Sequence, residues 1–530
     1  MRIPAFGASS PVLTALLFTA ILAIIVTGFL PPFWESNDDV GMAMILDGYG
    51  LAAYPSPGIF FSNILYGYAL AALPRIGDMS RYGLAAIALN LLSVFLVCRA
   101  LCLLTRNVVL TLSVMALVCL PQLAFPQFTV LSGMLSVAGI LHLATWLQRQ
   151  HSVELIIAGG VLFTGYLIRS QEFLLIALIG SVVLPWRDAV FDRRLQGLAV
   201  VLAGLVAAAM VADWRYYQAP EWQAFREVNL LRSPFTDYGA AAYLRARPEL
   251  LNGTGYTPND IGLLQTWFLA DPVIANPENL SVLLSRLDPA SFLQGNLASS
   301  RERLAIFLNA PLVYLLVPAA VAGILAKNPA RVGLGWLVLI VTVVALLLTG
   351  RGLINRVFYA PLALLLCLAI IQNARRWGQR VVVGVVMLAA LGAVSSLMKR
   401  HAYAMENHAL TRADLATVDK SKLYVVWGGV LDLESMYPVL GSLAAARELR
   451  WYGLGVTSLA PFAMAHWKDV PGGLPGRLVA GPPVPFFASQ DLIDLLAIYC
   501  EERHSAALRT TGVQKLRRAT IFTVSCGAPS

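Results

Sequence analysis

Charged residues are scarce in this sequence of 530 residues. Asp, Glu, Lys and Arg make up 13% of it, against about 25% in a typical soluble domain. Hydrophobic residues make up 58%, and the mean hydropathy is +0.69. This composition excludes a chain of several soluble domains. Long apolar stretches recur up to about residue 398, so the sequence predicts a polytopic membrane protein.

Several motifs of common enzymes and transporters are also missing. The sequence has no Walker phosphate-binding loop, no HExxH and no CxxC pair, so ATP-driven transport and zinc-dependent hydrolysis lose their usual signals. The net charge is +9, but no basic run alternates with aromatic residues as a nucleic-acid groove requires. We therefore expect no nucleic acid as a partner.

The apolar runs predict about 11 transmembrane helices. Met1 and Arg2 give the first run a basic start, and no small-residue cleavage site follows it, so we expect a retained anchor rather than a removed signal. The predicted spans are 10–31, 82–104, 107–125, 128–147, 154–170, 172–186, 195–213, 304–326, 332–350, 357–372 and 380–398.

Loop charges predict the orientation of these spans. Basic residues concentrate in cytoplasmic loops. The basic loops of this chain all fall on the cytoplasmic side if the apolar segment 57–74 lies at the outer interface and does not cross the membrane. The N-terminus is then cytoplasmic and the C-terminus extracytoplasmic. The loops assigned to the cytoplasm hold Arg106, Arg149, Arg187, Arg193, Arg194, Lys327, Arg331, Arg375, Arg376 and Arg380.

This topology divides the chain into two parts. Residues 1–398 form a transmembrane domain with large outer loops at 32–81 and 214–303, and residues 399–530 form a small extracytoplasmic α/β domain. In the latter, the sequence predicts strands at 423–427, 451–459, 477–480 and 520–524 and helices at 434–449 and 489–503. Cys500 and Cys526 share this domain, where oxidation is permitted, so a disulfide between them is a hypothesis that the sequence leaves open.

An acidic pair, Asp38 and Asp39, lies just outside the first span. Adjacent carboxylates suit general-base catalysis, and their oxygens could also hold a divalent cation such as Mg²⁺ or Mn²⁺. The competing interpretation is that Asn37 and Asp38 merely cap a short helix that starts near Val40.

Two groups of cations lie on the predicted outer side. Arg351 and Arg356, with Asn355, follow the ninth span, where the positive-inside rule disfavours them, and arginine is well suited to bind phosphate. Snorkelling to lipid headgroups is the alternative. Arg169 and Glu172 form a polar hinge between two short spans, as a functional pair or as a structural one.

The outer loop 214–303 combines aromatic residues with carboxylates, among them Asp237 and Asp260. This combination suits a sugar or another polar substrate, but it is equally typical of an ordinary amphipathic loop. We count Asp237, Asp260, Glu172 and Arg81 as candidate substrate-binding residues.

Taken together, these features resemble the GT-C superfamily of membrane glycosyltransferases, which includes protein O-mannosyltransferases and aminoarabinose transferases. The resemblance lies in the acidic pair Asp38-Asp39, the following segment 42–48, a Pro-led interfacial helix at 57–73, Arg81, the segment 351–361 before a late helix, and a C-terminal outer domain. It implies a GT-C-like fold and a sugar donor linked to a polyprenyl phosphate or diphosphate.

The resemblance also implies roles for individual residues. Asp38 or Asp39 would activate the acceptor or bind a metal, and Arg351 and Arg356 would bind the lipid phosphate, with Asn355 and Arg169 beside them. The pair is Asp-Asp where Asp-Glu is frequent in the superfamily, which leaves the metal and the identity of the catalytic Asp open.

The sequence thus predicts an integral glycosyltransferase of the inner (plasma) membrane. It would move a sugar from a polyprenyl-phosphate donor to a glycan, lipid or protein acceptor on the extracytoplasmic face, with inversion, in cell-envelope glycan, glycolipid or glycoprotein synthesis. A lipid-linked saccharide flippase or transporter is the alternative, although the halves of the chain lack the repeated pattern of many transporters. A third interpretation makes the C-terminal domain a binding module that the helices support.

Overall fold

The structure is a computed structural model that describes residues 10–105, 107–186, 189–289, 296, 298, 300–372 and 376–527. Most of the chain is helical, and the strands are confined to its C-terminal part. In chain order the helices are α1 (Pro11–Gly28), α2 (Asn37–Asp47), α3 (Ile64–Ala71), α4 (Arg81–Thr105), α5 (Val108–Val118), α6 (Leu120–Ala124), α7 (Phe128–Arg149), α8 (Ser152–Ile168), α9 (Ser170–Val183), α10 (Arg193–Tyr217), α11 (Gln223–Thr236), α12 (Ala240–Arg245), α13 (Pro258–Gln265), α14 (Pro277–Ser285), α15 (Ser300–Leu304), α16 (Leu312–Ile324), α17 (Pro329–Leu348), α18 (Asn355–Ile371), α19 (Arg376–Leu415), α20 (Ala444–Arg447), α21 (Pro461–Met464), α22 (Gly473–Ala480) and α23 (Gln490–His504).

Six of these helices are long and apolar enough to cross a membrane, namely α1, α4, α7, α10, α17 and α19. A seventh crossing arises if the pair 300–308 and 312–324, bent by 79°, is one broken span. Shorter apolar helices lie at 108–124, 152–168, 170–183 and 355–371. Every predicted span therefore coincides with an apolar helix, and the chain is a multi-pass membrane protein, while the exact number of crossings stays a prediction.

The centre of the bundle is α7, which is buried along nearly its whole length against α4, α8, α9 and α18. The orientation of the bundle depends partly on residues that the structure does not describe. Met1, Arg2, Arg106, Arg187 and Arg375 lie outside the described residues, and the sidedness of the termini stays a prediction.

The first outer loop folds into two short helices. Helix α2 begins at Asn37 and carries the acidic pair in its first turn. Helix α3 is shorter than the predicted interfacial helix, because it begins at Ile64, after Asn63 caps it by accepting a hydrogen bond from the Leu65 amide.

The C-terminal part contains a five-stranded sheet. Its strands are β1 (Leu423–Trp427), β2 (Arg450–Leu454), β3 (Val484–Phe487), β4 (Ala507–Lys515) and β5 (Thr520–Gly527), in the order β2-β1-β3-β5-β4. Strand β1 pairs in parallel with β2 and β3, whereas β5 pairs antiparallel with β3 and β4. The domain is thus α/β, as predicted.

Several predicted elements of this domain are wrong in detail. Residues 477–480 belong to helix α22 instead of a strand, and most of 434–449 is turn and coil around α20. The prediction lacks strands β3 and β4. The side chains of β4 are mostly exposed and give little apolar alternation. The Cys500–Cys526 disulfide is present and joins α23 to β5.

Helix α19 links the two parts of the chain. It continues through position 399 without a break and ends at Leu415. The sheet therefore begins about twenty residues beyond the predicted domain boundary, after the last apolar helix has extended out of the bundle.

Candidate functional site

A cavity of about 770 Å³ lies where the bundle, the two outer loops and the sheet meet. Five of the ten residues predicted for the site line it: Asp38, Arg169, Asp237, Arg351 and Arg356. They come from α2, the α8–α9 junction, the end of α11 and the segment before and at the start of α18, so distant parts of the sequence converge here.

The two acidic neighbours have different environments. Asp38 lines the cavity, and its Oδ2 atom forms an ion pair with Nη1 of Arg356 at 2.9 Å. Asp39 is 1% exposed. Its carboxylate accepts hydrogen bonds from the Ser36 hydroxyl (2.8 Å), the Tyr82 hydroxyl (2.8 Å) and the Phe128 amide (3.0 Å).

Burial changes the acidity of Asp39. Desolvation raises its pKa to about 7, and the nearby Asp38 charge adds to this shift, while the hydrogen bonds from Ser36 and Tyr82 oppose it. A carboxyl group that is enclosed by protein and held by three donors serves to position its neighbours rather than to contact substrate.

This arrangement does not fit a cation shared by the acidic pair. Asp38 is engaged by Arg356, and Asp39 is enclosed by its three donors. Among the described residues there is also no group of three or more His, Cys, Asp or Glu side chains that could hold a metal ion.

Arginines dominate the charge of the cavity. Arg351 donates from Nη1 to the Tyr238 hydroxyl at 3.0 Å. Arg169 lies over the rings of Phe61 and Phe128, 5.2 Å from each centroid. In the part of the chain that the structure describes, neither Arg169 nor Arg351 forms an ion pair, so both guanidinium groups are available to an anion.

A fourth arginine, Arg232, also lines the cavity, and it is more firmly held. Its guanidinium donates to Asn229, Thr236 and Asp237 and lies 4.4 Å from the ring centroid of Trp267. Its partner Asp237 was a predicted substrate-binding residue, and the structure shows it anchoring this arginine at the cavity wall.

Two aromatic residues of the cavity have strained backbones. Phe61 and Trp267 have φ angles of 75° and 69°, in the left-handed region that bulky side chains rarely adopt. Such strain persists where the surrounding structure enforces it, and it clusters at functional sites. Phe61 and Phe128 were missed by sequence reasoning, since an aromatic residue in an apolar stretch gives no signal of its own.

The structure places the other predicted residues outside this cavity. Arg81 pairs with Asp47 at 2.8 Å and donates to the carbonyls of Leu46 and Ala71. Asp260 forms a capping box at the start of α13 and pairs with Arg503. Both have intramolecular partners that explain their burial, and neither is positioned to bind a substrate in the cavity.

Glu172 and Asn355 also lie apart from it. Glu172 is buried in α9, and its Oε1 atom has no hydrogen-bond partner among the residues that the structure describes. Asn355 is the first residue of α18 and lines a second cavity of about 290 Å³.

The second cavity adjoins the first at Arg356, which lines both. Most of its wall is apolar and comes from α5, α6, α16, α18 and α19. A partly exposed ion pair, Glu35–Arg400 at 2.5 Å, lies at its polar end. Its apolar lining residues are Leu117, Pro121, Phe125, Val130, Ala310, Pro311, Tyr359, Ala393 and Leu397.

The sheet closes the main cavity on the side opposite the bundle. Loops that follow the carboxyl ends of β1, β2 and β3 all reach it, through Gly428 and Gly429, Thr457, and Ser489. The Gly-Gly pair after a strand was the signal in the sequence that could have located this wall.

A solved structure is similar to this chain over nearly its whole length. No protein-family model matches the sequence, and no curated protein matches it. The chain is similar to the solved structure titled "Crystal Structure of ArnT from Cupriavidus metallidurans in the apo state", with 15% sequence identity and a TM-score of 0.37, over 98% of this chain and 100% of that one.

Proposed function

We propose that this protein is a membrane glycosyltransferase that moves a sugar from a polyprenyl-phosphate donor to an acceptor at the extracytoplasmic face of the plasma membrane. One observation carries the proposal: a large cavity at the edge of an apolar helical bundle combines four arginines with a carboxylate, Asp38, ion-paired to one of them. In this proposal the N-terminus is cytoplasmic and the sheet domain lies outside.

The arginines supply the binding site for the donor phosphate. Guanidinium groups bind phosphate through two parallel N–H donors, and these charge-assisted bonds are about twice as strong as neutral ones. Arg351 and Arg356 are separated by five positions at the start of α18, and Arg169 faces the same cavity from the α8–α9 junction. Since Arg169 and Arg351 have no carboxylate partner among the described residues, a phosphate would neutralise charge that the fold leaves uncompensated.

The second cavity suits the lipid part of such a donor. An isoprenoid chain needs an apolar channel that reaches the phosphate site from the bilayer. The 290 Å³ cavity is lined mainly by apolar side chains and meets the main cavity at Arg356. A phosphate held at Arg356 would therefore have a polar cavity on one side for its sugar and an apolar one on the other for its lipid.

Asp38 is the proposed base. When the donor phosphate binds Arg356, it competes for the guanidinium and leaves the Asp38 carboxylate able to accept a proton. The acceptor hydroxyl loses its proton to Asp38 as its oxygen attacks the anomeric carbon. The bond from that carbon to the phosphate oxygen breaks, and the lipid phosphate leaves with an added negative charge.

The arginines favour this step because the charge on the leaving phosphate grows as the reaction proceeds. Preorganised cations stabilise that developing charge more in the transition state than in the ground state. A direct displacement of this kind inverts the configuration of the anomeric carbon. Asp39 holds Ser36, Tyr82 and the start of α7 in place beside Asp38.

The experiment uses purified protein in nanodiscs with a panel of radiolabelled polyprenyl-phosphate sugars and no nucleotide sugar. We expect one donor to release its sugar to water or to an added acceptor, and the Asp38→Asn variant to lose this activity. Binding of the lipid without turnover, together with its movement across sealed vesicles, would instead identify a lipid-linked saccharide flippase.

A further inference from the structure

The loops at the carboxyl ends of three parallel strands of the sheet line one wall of the main cavity. Strand β1 has β2 on one side and β3 on the other, and all three run parallel. The chain leaves β1 toward β2 and later returns to the opposite side of β1 as β3, so the connections diverge at the β1–β3 pair. In open α/β sheets, ligands bind in the crevice outside the carboxyl ends of strands at such a point.

Glycines and polar residues lie among apolar residues at this crevice. Gly428 and Gly429 follow β1 with φ angles of 73° and 69°, a conformation that favours glycine and leaves the backbone open to a ligand. Ser489 and Asp491 follow β3 and are exposed to the cavity. Thr457 follows β2 and completes the row.

Trp267 is fixed to the same edge. The indole Nε1 of Trp427, the last residue of β1, donates to the Thr266 carbonyl at 2.7 Å. The ring of Phe268, on the other side of Trp267, packs 5.3 Å from Trp427. The turn that forces Trp267 to a positive φ is thus held by the end of β1, and it presents an indole at the cavity wall.

Charge divides the cavity into two halves. The bundle half and outer loop carry four arginines (Arg169, Arg232, Arg351 and Arg356) against two carboxylates (Asp38 and Asp237), whereas the described lining residues of the sheet domain include no Lys, Arg or His. The charged side chain on the sheet half is Asp491. An anion is therefore attracted to the bundle half and disfavoured at the sheet edge.

We infer that the carboxyl edge of the sheet, together with Trp267, is a second subsite that binds the acceptor through an uncharged saccharide. Hydroxyl groups of a sugar hydrogen-bond to a carboxylate, to serine or threonine hydroxyls and to backbone amides. The apolar face of a sugar ring packs on an indole. Asp491, Ser489, Thr457 and the Gly-Gly turn supply the polar groups at the sheet edge, and Trp267, whose ring also contacts Arg232, supplies the indole.

This inference rests on the proposed function for its assignment to the acceptor, and it implies that the acceptor is itself a glycan or carries one. The acceptor hydroxyl would then approach Asp38 from the sheet side while the donor phosphate is held from the bundle side. The sheet domain would select the acceptor, and the bundle would select the donor.

The test measures saccharide binding without turnover, so that it does not depend on the transferase reaction. Neutral trisaccharides (mannotriose, maltotriose and chitotriose) are titrated against the full-length protein in nanodiscs by ligand-observed NMR. The variants are Asp491→Asn, Trp267→Ala and Trp267→Phe. Asp494→Asn is the matched control, because Asp494 lies on the same helix and does not line the cavity. Binding of a polyprenyl phosphate is measured in parallel.

We expect at least one trisaccharide to bind the wild type, and to bind Asp491→Asn and Trp267→Ala about tenfold or more weakly. Trp267→Phe should retain most of the affinity, because it keeps an aromatic face, and Asp494→Asn should match the wild type. Polyprenyl phosphate binding should be unchanged in all four variants. Because Asp491 is exposed, its substitution tests the subsite even if Trp267→Ala fails to fold.

Two results would overturn the inference. One is that no trisaccharide binds the wild type, and the other is that Asp491→Asn and Asp494→Asn bind trisaccharide equally well. Failure of the proposed function has a different signature, namely no release of sugar from any polyprenyl-phosphate donor, whatever the trisaccharide titration shows.

Discussion

Asp38 and Asp39 are consecutive residues whose carboxylates face different surroundings. Asp38 lies at the cavity wall against Arg356, while Asp39 is enclosed by donors from its own loop, from α4 and from α7. The helical geometry of α2 causes this separation, because consecutive side chains on a helix are about 100° apart. One member of the pair can therefore act on a substrate while the other holds the loop in place.

This separation predicts different effects for the two amide variants. Asp38→Asn should lower the transfer rate by about 10²–10⁴-fold, since it removes the proton acceptor. Asp39→Asn should retain most of the activity, because the amide oxygen can accept from Tyr82 and Phe128 while the amide nitrogen donates to the Ser36 hydroxyl. The measurement is sugar transfer in nanodiscs at saturating donor, with Asp494→Asn as a surface control. Equal losses in both Asp38 and Asp39 variants would contradict the assignment.

The raised pKa of Asp39 predicts a pH-dependent stability. The folded state binds a proton at Asp39 up to about pH 7, whereas the unfolded chain releases it near the ordinary value of 3.8. The folded state thus binds more protons between these values, and the free energy of unfolding falls as the pH rises through this window. Burying the charged form is what costs stability at high pH.

Asp39→Asn should remove this contribution. Relative to the wild type, the variant should melt at a similar temperature near pH 4 and at a higher temperature near pH 8. Thermal unfolding in detergent across this range measures the difference between the two proteins, which cancels the titration of other groups. If the difference in melting temperature between the variant and the wild type is the same at all pH values, the pKa of Asp39 is not raised in the folded protein.

Substitution of Arg169 should affect donor binding, whereas substitution of Arg232 should affect thermal stability. Arg169→Gln should weaken donor binding by about tenfold or more, the worth of a lost charge-assisted hydrogen bond, with little change in melting temperature, because its described contacts are with two aromatic rings. Arg232→Gln should lower the melting temperature, since Arg232 holds Asn229, Thr236 and Asp237. Lipid binding and thermal unfolding are measured on both variants, and the reverse pattern would refute the assignment.

The disulfide gives a prediction that needs no substrate. Unfolded but unreduced protein should show four free thiols, those of Cys98, Cys102, Cys119 and Cys367, and reduction should raise the count to six. Replacing Cys500 and Cys526 together by serine should destabilise the sheet domain by about 3 kcal/mol, the entropy of closing a loop of this length. A count of six thiols before reduction would contradict the bond.

The helical part of the fold could be predicted well from the sequence. Apolar runs of adequate length locate helices whatever their packing, and each predicted span coincides with a helix. The sheet domain was less predictable. The segment 477–480 is short and apolar and was therefore predicted as a strand, but it forms the end of the amphipathic helix α22. Strand β4 is mostly exposed and has no apolar face from which it could be predicted.

The sequence predicted those site residues that are ionisable and lie near the membrane. Asp38, Arg169, Arg351 and Arg356 all drew attention because ionisable residues are costly near a membrane, and all four line the cavity. Arg81 and Asp260 drew the same attention, but they have ion-pair partners at Asp47 and Arg503. A sequence shows a charge and its approximate depth, but it does not show which distant residue neutralises it.

Helix α19 has a consequence for how substrates reach the cavity. Its 40 residues run unbroken from the bundle to the sheet domain, a length of about 60 Å at 1.5 Å per residue. Opening of the sheet domain at the segment between α19 and β1 would break the hydrogen bonds that the Arg517 and Arg518 amides donate to Asp414, and opening within α19 would bend a continuous helix. The distance between the arginines and the sheet edge is therefore set by the frame of the protein, and substrates of the correct size must fit a gap of fixed width.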